Sequence, residues 1–517
     1  MGLGLLAGPL PRGAERLRPR PARGAGTGAA GDRRRPVNDP QRPPRLSWDM
    51  WKRFLMAGGL VIALTALTTA VAGLLKVRDV ASAISENGHK KALKVPELTP
   101  AEAGAPQTIL ILGSDVRKSD RLRGVKGNSD TMMLVHLDPS KHATALLSVP
   151  RDLKVLIPGH GTAKINAAYA DGGPRLAVRT VQANLPGVRI NHVVDINFKG
   201  FKAAVNKVGC VYADIDRRYF NADVSYASIN IKPGYQKLCG SDALDYVRYR
   251  HTDTDLVRAA RQQDFIRQAK QQGGVQKIVN DYLSFAKLFG RYADTDIRGT
   301  QQILRLAKLV AFSAGRPVRE VHFRAALGPS YVTASPEQIA ATVHEFLHVD
   351  AAPRSATPAP PRRPGRAPTL ASLGLQQAKT SGEDQAIEAA PHVGFPVLYP
   401  RLESIGASYV DTARTYTIDD LNGRRHQAYR MVVNKGGFGE YYGIQGMTWV
   451  NPPLLDKPDE SRKVNGRKLD LYYVGNQLRL VALTTKRAVY WVANTLTLSL
   501  SNKQMLAIAG SLQRIGQ

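Results

Sequence analysis

Between Gln107 and about Asp350, short apolar runs alternate with stretches in which apolar residues recur every three to four positions. "TILIL", ending at Gly113, predicts a buried strand. "TMMLVHL" and "ATALLSV", separated by "DPSKH", predict two strands joined as a hairpin. "GPRLAVRTVQANL" has helical spacing, "INHVVDINF" reads as a strand and "GFKAAVNKV" as a helix. Further helices are expected at 258–272, 275–290 and 299–314. "VREVHFRAAL" closes the region as a strand, and "ASPEQIAATVHEFL" as a helix capped by Ser335, with Glu337 and Gln338 in its first turn. Such alternation predicts an α/β domain, a sheet covered by helices.

The pattern changes on either side. Phe54 to Leu75 is an uncharged apolar run of a length that can cross a bilayer. Residues 54–76 are therefore expected to form a transmembrane signal anchor. Residues 1–53 form a disordered basic tail, and 77–105 a stalk ending in a Pro-spaced stretch. Beyond about 350, residues 351–390 are Pro- and Ala-rich and read as a linker. Residues 391–517 predict a small α+β domain. In it "LDLYYVGNQLRLVAL" turns at Gly475 and Asn476, and Ser501 with Gln504 opens a helix through a capping box.

The chain carries a formal net charge of +30, and topology decides how that charge is read. Arginines before the apolar run place the N-terminus in the cytoplasm and everything after Lys76 outside the membrane. Anionic lipid then accounts for the basic tail, and no nucleic-acid partner is expected. Cys210 and Cys239 are the only cysteines. In an oxidising compartment a pair reads more readily as a disulfide than as a metal site, which would need more ligands.

Candidate chemistry gathers at strand ends. Asp115 and Arg117 follow the first strand, Asp130 precedes the second, and Arg151 and Asp152 follow the third. If the second and third strands pair as a hairpin, Asp130 lies at the same edge as Arg151 and Asp152. A later stretch, "YVRYRHTDTDLVRAARQQ", supplies more arginines. Read as a strand, "YVRYR" puts Arg248 and Arg250 on one face. Read as a helix, the segment after it puts Arg258, Arg261, Gln262 and Phe265 on one face. Guanidinium forks match phosphate oxygens, so the two faces suggest a bound polyanion. Asp115 and Asp130 would suit Mg²⁺, which combines one or two carboxylates with phosphate oxygens. His251 lies nearby as a candidate acid or base.

"ILGSDVR", "NSDTMMLVHLDP", "LLSVPRDLKVLIPG", "KINAAYADGGP", "INHVVDINFKGF" and "DALDYVRYRHTDTDLVRAARQQ", in that order, resemble the LytR–CpsA–Psr family. The resemblance implies a three-layer α/β/α domain with a mixed central sheet over 106–350. It also implies a membrane-anchored phosphotransferase that moves an anionic glycopolymer from a polyprenyl diphosphate carrier to peptidoglycan. Pyrophosphate hydrolysis would be a side activity. It makes Asp115 and Asp130 magnesium ligands, and Arg151, Arg248, Arg250, Arg258 and Gln262 diphosphate contacts. Asp152 and Lys164 fall in motifs lining the same site, with Asp130 or Asp152 as candidate base. Asn128 stands where many members carry Arg, so Arg117 or Arg261 is expected to compensate. The family's lipid tunnel would run between sheet and helices, whereas Leu176, Val181 and Phe201 read as plain core. The aromatic strands "EYYGIQGMTW" and "RAVYWVANTL" suit either a sugar surface or ordinary sheet packing.

Overall fold

In the computed structural model, residues 93–348 and 369–516 are described, apart from 101, 103, 115–128, 142, 223–227, 250–251, 298–301, 303–315, 317, 379 and 438. The expected tail, anchor and proximal stalk lie outside the described residues, as does nearly all of the helix expected at 299–314. Among the described residues no helix is long and apolar enough to cross a membrane.

The first domain is built on strands β1 (Gln107–Ser114), β2 (Ser129–Leu137), β3 (Thr144–Val149), β4 (Lys154–Ile157) and β5 (Gly161–Lys164), followed by helix α1 (Ala167–Asn184). Strand β6 (His192–Asn197), α2 (Phe198–Lys207), β7 (Val211–Ile215) and β8 (Gly234–Leu238) come next. Then come α3 (Gly240–Arg248), α4 (Asp255–Gln271), α5 (Gly274–Asn280), α6 (Tyr282–Tyr292), β9 (Ala293–Thr295), β10 (Val318–Val321) and α7 (Pro336–Leu347). Six of the strands form one sheet in the order β9-β6-β1-β2-β3-β10. The sheet is mixed: β1–β6 and β3–β10 run parallel, and the other pairs antiparallel.

Strand periodicity explains how this sheet is covered. Leu110, Leu112, Met132 and Leu134 point into a core shared with Val178 and Val181 of α1 and Phe346 of α7. Ile109, Ile111 and Val135 belong to the opposite face. Leu176 joins the first core, as expected. Helix α1 is kinked where Gly172 and Gly173 leave helical geometry ahead of Pro174. Part of the expected stalk also packs here: Val95 is in the core, and Thr99 donates its amide to the Ile190 carbonyl at 2.8 Å. The domain thus begins at least ten residues earlier than the Pro-spaced stretch suggests.

The C-terminal domain also begins earlier than expected. Leu375, Ala386 and Ala389, placed in the linker by composition, pack in the core of the C-terminal domain. They lie on or just before α8 (Ser381–Ala389). A small apolar stripe on an Ala-rich segment was masked by the proline content upstream. Seven strands build the C-terminal sheet: β11 (Ser408–Asp419), β12 (Arg425–Asn434), β13 (Tyr441–Met447), β14 (Glu460–Val464), β15 (Arg467–Val474), β16 (Gln477–Thr484) and β17 (Val489–Ala493). Helix α9 (Asn502–Gly510) follows, with its capping box formed by Ser501 and Gln504. Tyr442, Tyr490 and Trp491 are buried, so those aromatic strands serve packing.

Cys210 and Cys239 are joined in a disulfide that ties the start of β7 to the cap of α3. The bridge closes a loop of sequence separation 29 containing the antiparallel pair β7–β8. Loop-closure entropy for that length corresponds to about 3–4 kcal/mol. A Cys210→Ser/Cys239→Ser chain should lose about that much stability in urea titrations, and the wild-type midpoint should fall comparably under reductant.

Candidate active site

The edge where β1 ends, β2 begins and β3 ends collects the strand-end residues. Ser114 pairs with Ser129, and Met132 with Val149, so the positions of Asp130 and of Arg151–Asp152 share one edge. Asp130 is the second residue of β2. Asp115, Arg117, Asn128, Arg250 and His251 lie outside the described residues.

"YVRYR" is not a strand. Helix α3 runs through Arg248, and Tyr249 caps it with extended geometry (φ −53°, ψ 137°). Ala243, Leu244 and Val247 form an i, i+1, i+4 apolar stripe that outweighs the short two-residue alternation. Arg248 therefore arrives at the site from a helix C-terminus. Its guanidinium carbon stands 3.9 Å from the centroid of the Phe198 ring.

Helix α4 is a helix, as expected, capped by the Thr254 hydroxyl accepting from the Val257 amide at 3.2 Å. Its first residue, Asp255, lies among the arginines of "YVRYRHTDTDLVRAARQQ" without a role assigned from sequence, and proves to be the hub. One Asp255 oxygen accepts from Arg258 at 2.8 Å and stands 3.7 Å from Arg151; the other accepts from the Asp152 amide at 3.0 Å. Lys164 reaches Asp152 at 3.1 Å from β5. Arg151, Asp152, Lys164 and Arg258 are thereby brought together around one carboxylate. A readable signal existed: an acidic residue just after a helix cap and three before an arginine.

Arg261 is a correction. It is fully buried, donates to the Tyr246 and Tyr249 carbonyls at 2.7 and 2.9 Å, and pairs with Asp253. Asp253 is also paired with Arg217, whose guanidinium stacks near Tyr219, Tyr249 and Tyr441. Arg261 thus braces the connection between α3 and α4 and does not face a ligand.

Beside these charges lies an apolar cavity of about 110 Å³. Ile111 and Met133 of the sheet, Phe198 and Phe201 of α2, Leu244 and Val247 of α3, and Phe265 and Ile266 of α4 line it. Phe201 is therefore cavity wall, not the plain core expected. Arg248 and Gln262 are its basic and amide members. Gln262 donates to Thr131 Oγ1 at 3.0 Å and to the Val247 carbonyl at 3.1 Å, linking β2, α3 and α4. Gly113 also borders the space, and a Cβ there would stand 3.0 Å from that of Thr131.

A family match now joins this geometry: residues 71–333 match the model of the LytR_cpsA_psr family. The chain belongs to that family. A Staphylococcus aureus protein of uncharacterized role is 33% identical over 267 residues, covering 50% of this chain and 65% of its own. A Bacillus anthracis protein named polyisoprenyl-teichoic acid–peptidoglycan teichoic acid transferase TagU is 36% identical over 190 residues, covering 37% of this chain and 56% of its own. The match thus spans less than two thirds of each of these relatives. Among solved structures, B. subtilis TagV aligns at 27% identity and TM-score 0.38, covering 48% of this chain and 98% of that one. B. subtilis TagT aligns at 22% and TM-score 0.39, covering 50% and 98%. The described residues include no group of three or more His, Cys, Asp or Glu that could hold a metal.

A second cavity, of about 180 Å³, lies along Leu256, Ala259, Ala260 and Gln263 of α4. Gln263 Oε1 and His322 Nε2 are buried there without a hydrogen-bond partner. Burial pushes the His322 pKa down to about 4, with Asp264 opposing and Arg479 adding to the shift. This folded value lies below the ordinary 6.5, so the neutral ring costs nothing above pH 6.5. Stability should therefore drain away as pH falls from 6.5 towards 4. Urea midpoints at pH 7, 5.5 and 4.5 should fall less steeply for His322→Gln than for wild type.

Arg258 and Arg261, two of the three arginines of α4, should separate in mutagenesis. Arg261→Met leaves the buried Asp253 carboxylate with Arg217 alone, removes the donor to the Tyr246 and Tyr249 carbonyls, and should cost about 3–5 kcal/mol of stability. Arg258→Met leaves Asp255 bonded to the Asp152 amide and should cost about 1–2 kcal/mol. Denaturant titration of both variants measures the contrast.

Proposed function

We propose that this chain is a membrane-anchored, extracytoplasmic phosphotransferase that attaches an anionic glycopolymer, carried on polyprenyl diphosphate, to peptidoglycan. The observation that carries the reading is the apolar cavity bordered by Arg248 and Gln262, one helical turn from Arg258. A lipid diphosphate has this same division, a hydrocarbon chain joined to a doubly phosphorylated head. Family membership and the teichoic acid transferase activity for which the Bacillus relative is named support it. The apolar run at 54–76 supplies the anchor, and the carrier's own membrane brings it to the domain.

In this reading the prenyl chain enters between the sheet and α2–α4, where its burial contributes about 0.8 kcal/mol per methylene. Arg248, Arg258 and Arg151, with Arg250, bind the diphosphate oxygens, and Lys164 holds Asp152 at the same edge. A peptidoglycan hydroxyl attacks the phosphorus nearer the glycan, and a carboxylate at position 130 or 152 accepts its proton. The new P–O bond forms as the bond to the bridging oxygen breaks, and polyprenyl phosphate leaves. The guanidiniums hold the charge that develops on that bridging oxygen. Mg²⁺ held by Asp115 and Asp130 would add charge neutralisation of the diphosphate.

Purified full-length protein in detergent, given a lipid-diphosphate-linked glycan, peptidoglycan acceptor and Mg²⁺, should release polyprenyl phosphate and label the acceptor. Arg258→Met should lower the rate by roughly 100-fold or more, the scale of losing one transition-state donor. Release without labelled acceptor would reassign the chain as a hydrolase. No release under either condition would end the catalytic reading.

A further inference from the structure

Helix α4 carries Arg258, a proposed diphosphate contact, on one stripe with Gln262 and Phe265 of the cavity wall. The stripe turned elsewhere is held by the C-terminal domain, which begins beyond the end of the family match at residue 333. Asp264 is 2% exposed and Arg479 of β16 is 3% exposed. They meet through Nε at 3.2 Å and Nη2 at 3.4 Å. Arg267 pairs with the same carboxylate and passes its Nε–H to Glu320 of β10 at 2.7 Å. A buried chain of alternating charge therefore runs Glu320, Arg267, Asp264, Arg479, from the first domain's sheet through α4 to the second domain.

Other contacts fix the same seam. Val257 and Ala260 of α4 pack on Leu496, and a Cβ at Gly439 would stand 3.0 Å from Val257. A second buried pair lies off the helix: Asp214 of β7 accepts from Arg430 at 3.0 Å and from Trp491 Nε1 at 3.4 Å. Residues 257, 260, 264 and 267 thus face the second domain or its charge chain, while 258, 262 and 265 face the site. A rigid helix cannot shift one stripe and keep the other.

We propose that Asp264 and Arg479 are positioning residues for ligand binding, through which the C-terminal domain sets the placement of the anion-facing stripe of α4. The ligand in this proposal rests on the function proposed above. Loss of Arg479 leaves Asp264 with Arg267 and Gln268 of its own helix and frees the helix from β16, which displaces Arg258 and Gln262 relative to the cavity. Loss of Arg430 weakens the same domain contact through β7 and leaves the α4 pair intact.

Farnesyl diphosphate is the probe, with full-length protein in detergent, at a temperature where far-UV circular dichroism shows every variant folded. Arg479→Met and Arg430→Met should both lower the urea midpoint. Only Arg479→Met should weaken farnesyl diphosphate binding, by tenfold or more. Arg479→Lys, which keeps the charge, should recover part of that affinity. The double variant Asp264→Asn/Arg479→Met, which strands no carboxylate, should refold normally yet bind weakly. Unchanged affinity in folded Arg479→Met, or equal loss in Arg430→Met, overturns the proposal. If wild type itself does not bind the probe, the functional reading has failed, and hydrogen exchange decides positioning independently. Faster exchange in α4 but not in α2 on Arg479→Met supports it, and unchanged exchange in α4 refutes it.

Discussion

Burying a charged side chain costs several kcal/mol unless a partner repays the lost hydration, and α4 buries a succession of them. Arg258, Arg261, Asp264 and Arg267 are all nearly inaccessible, with buried Gln262 and Gln263 between them and Gln268 following. Each charge is therefore tied to a fixed partner: Asp255, Asp253, Arg479 and Glu320. Those partners come from the helix's own start, the preceding loop, the C-terminal sheet and the edge of the central sheet. The helix cannot be placed by hydrophobic packing alone, because it has no continuous apolar stripe. Its position follows from satisfying these pairs together, and the rest of the site is built on that position.

Much of this was legible in the residues. The strand-hairpin reading of "TMMLVHL" and "ATALLSV" puts Asp130 at the same edge as Arg151 and Asp152, and the two strands do pair, Met132 with Val149. The caps at Ser335 and Ser501 followed from local chemistry. Two kinds of information were not local. In "YVRYR", alternation over five residues competes with a helical stripe that starts earlier, at Ala243, and the longer pattern wins. The inward turn of Arg261 depends on Asp253 and on two carbonyls of the helix before it, none of which a face count can rank against an external anion. The pairs joining Asp214 to Arg430 and Asp264 to Arg479 connect residues more than two hundred positions apart. Nothing in either segment announces the other.

The site combines opposite solvent preferences over a few ångströms. Phe198 illustrates the join: its face receives the Arg248 guanidinium, and its edge belongs to the apolar cavity. A guanidinium is weakly hydrated for a cation and tolerates an aromatic neighbour. Lysine at 248 would hold its water more strongly and lose the planar fork. The amide of Gln262 has a comparable part, spending both donor contacts on Thr131 and Val247 and so locking strand and helices at the boundary between hydrocarbon and charge.

The charge chain through Asp264 also bears on how such a protein can change over generations. Domains joined by a flexible tether can be exchanged, lost or duplicated with little harm to either. Here, a recombination that replaced residues beyond the family match would deliver an α4 carrying a buried carboxylate with half its counter-charge missing. The incoming domain would need a cation at the very place where Arg479 now stands. The two halves are thus bound to a shared ancestry: a gene can inherit both, or rebuild the seam first.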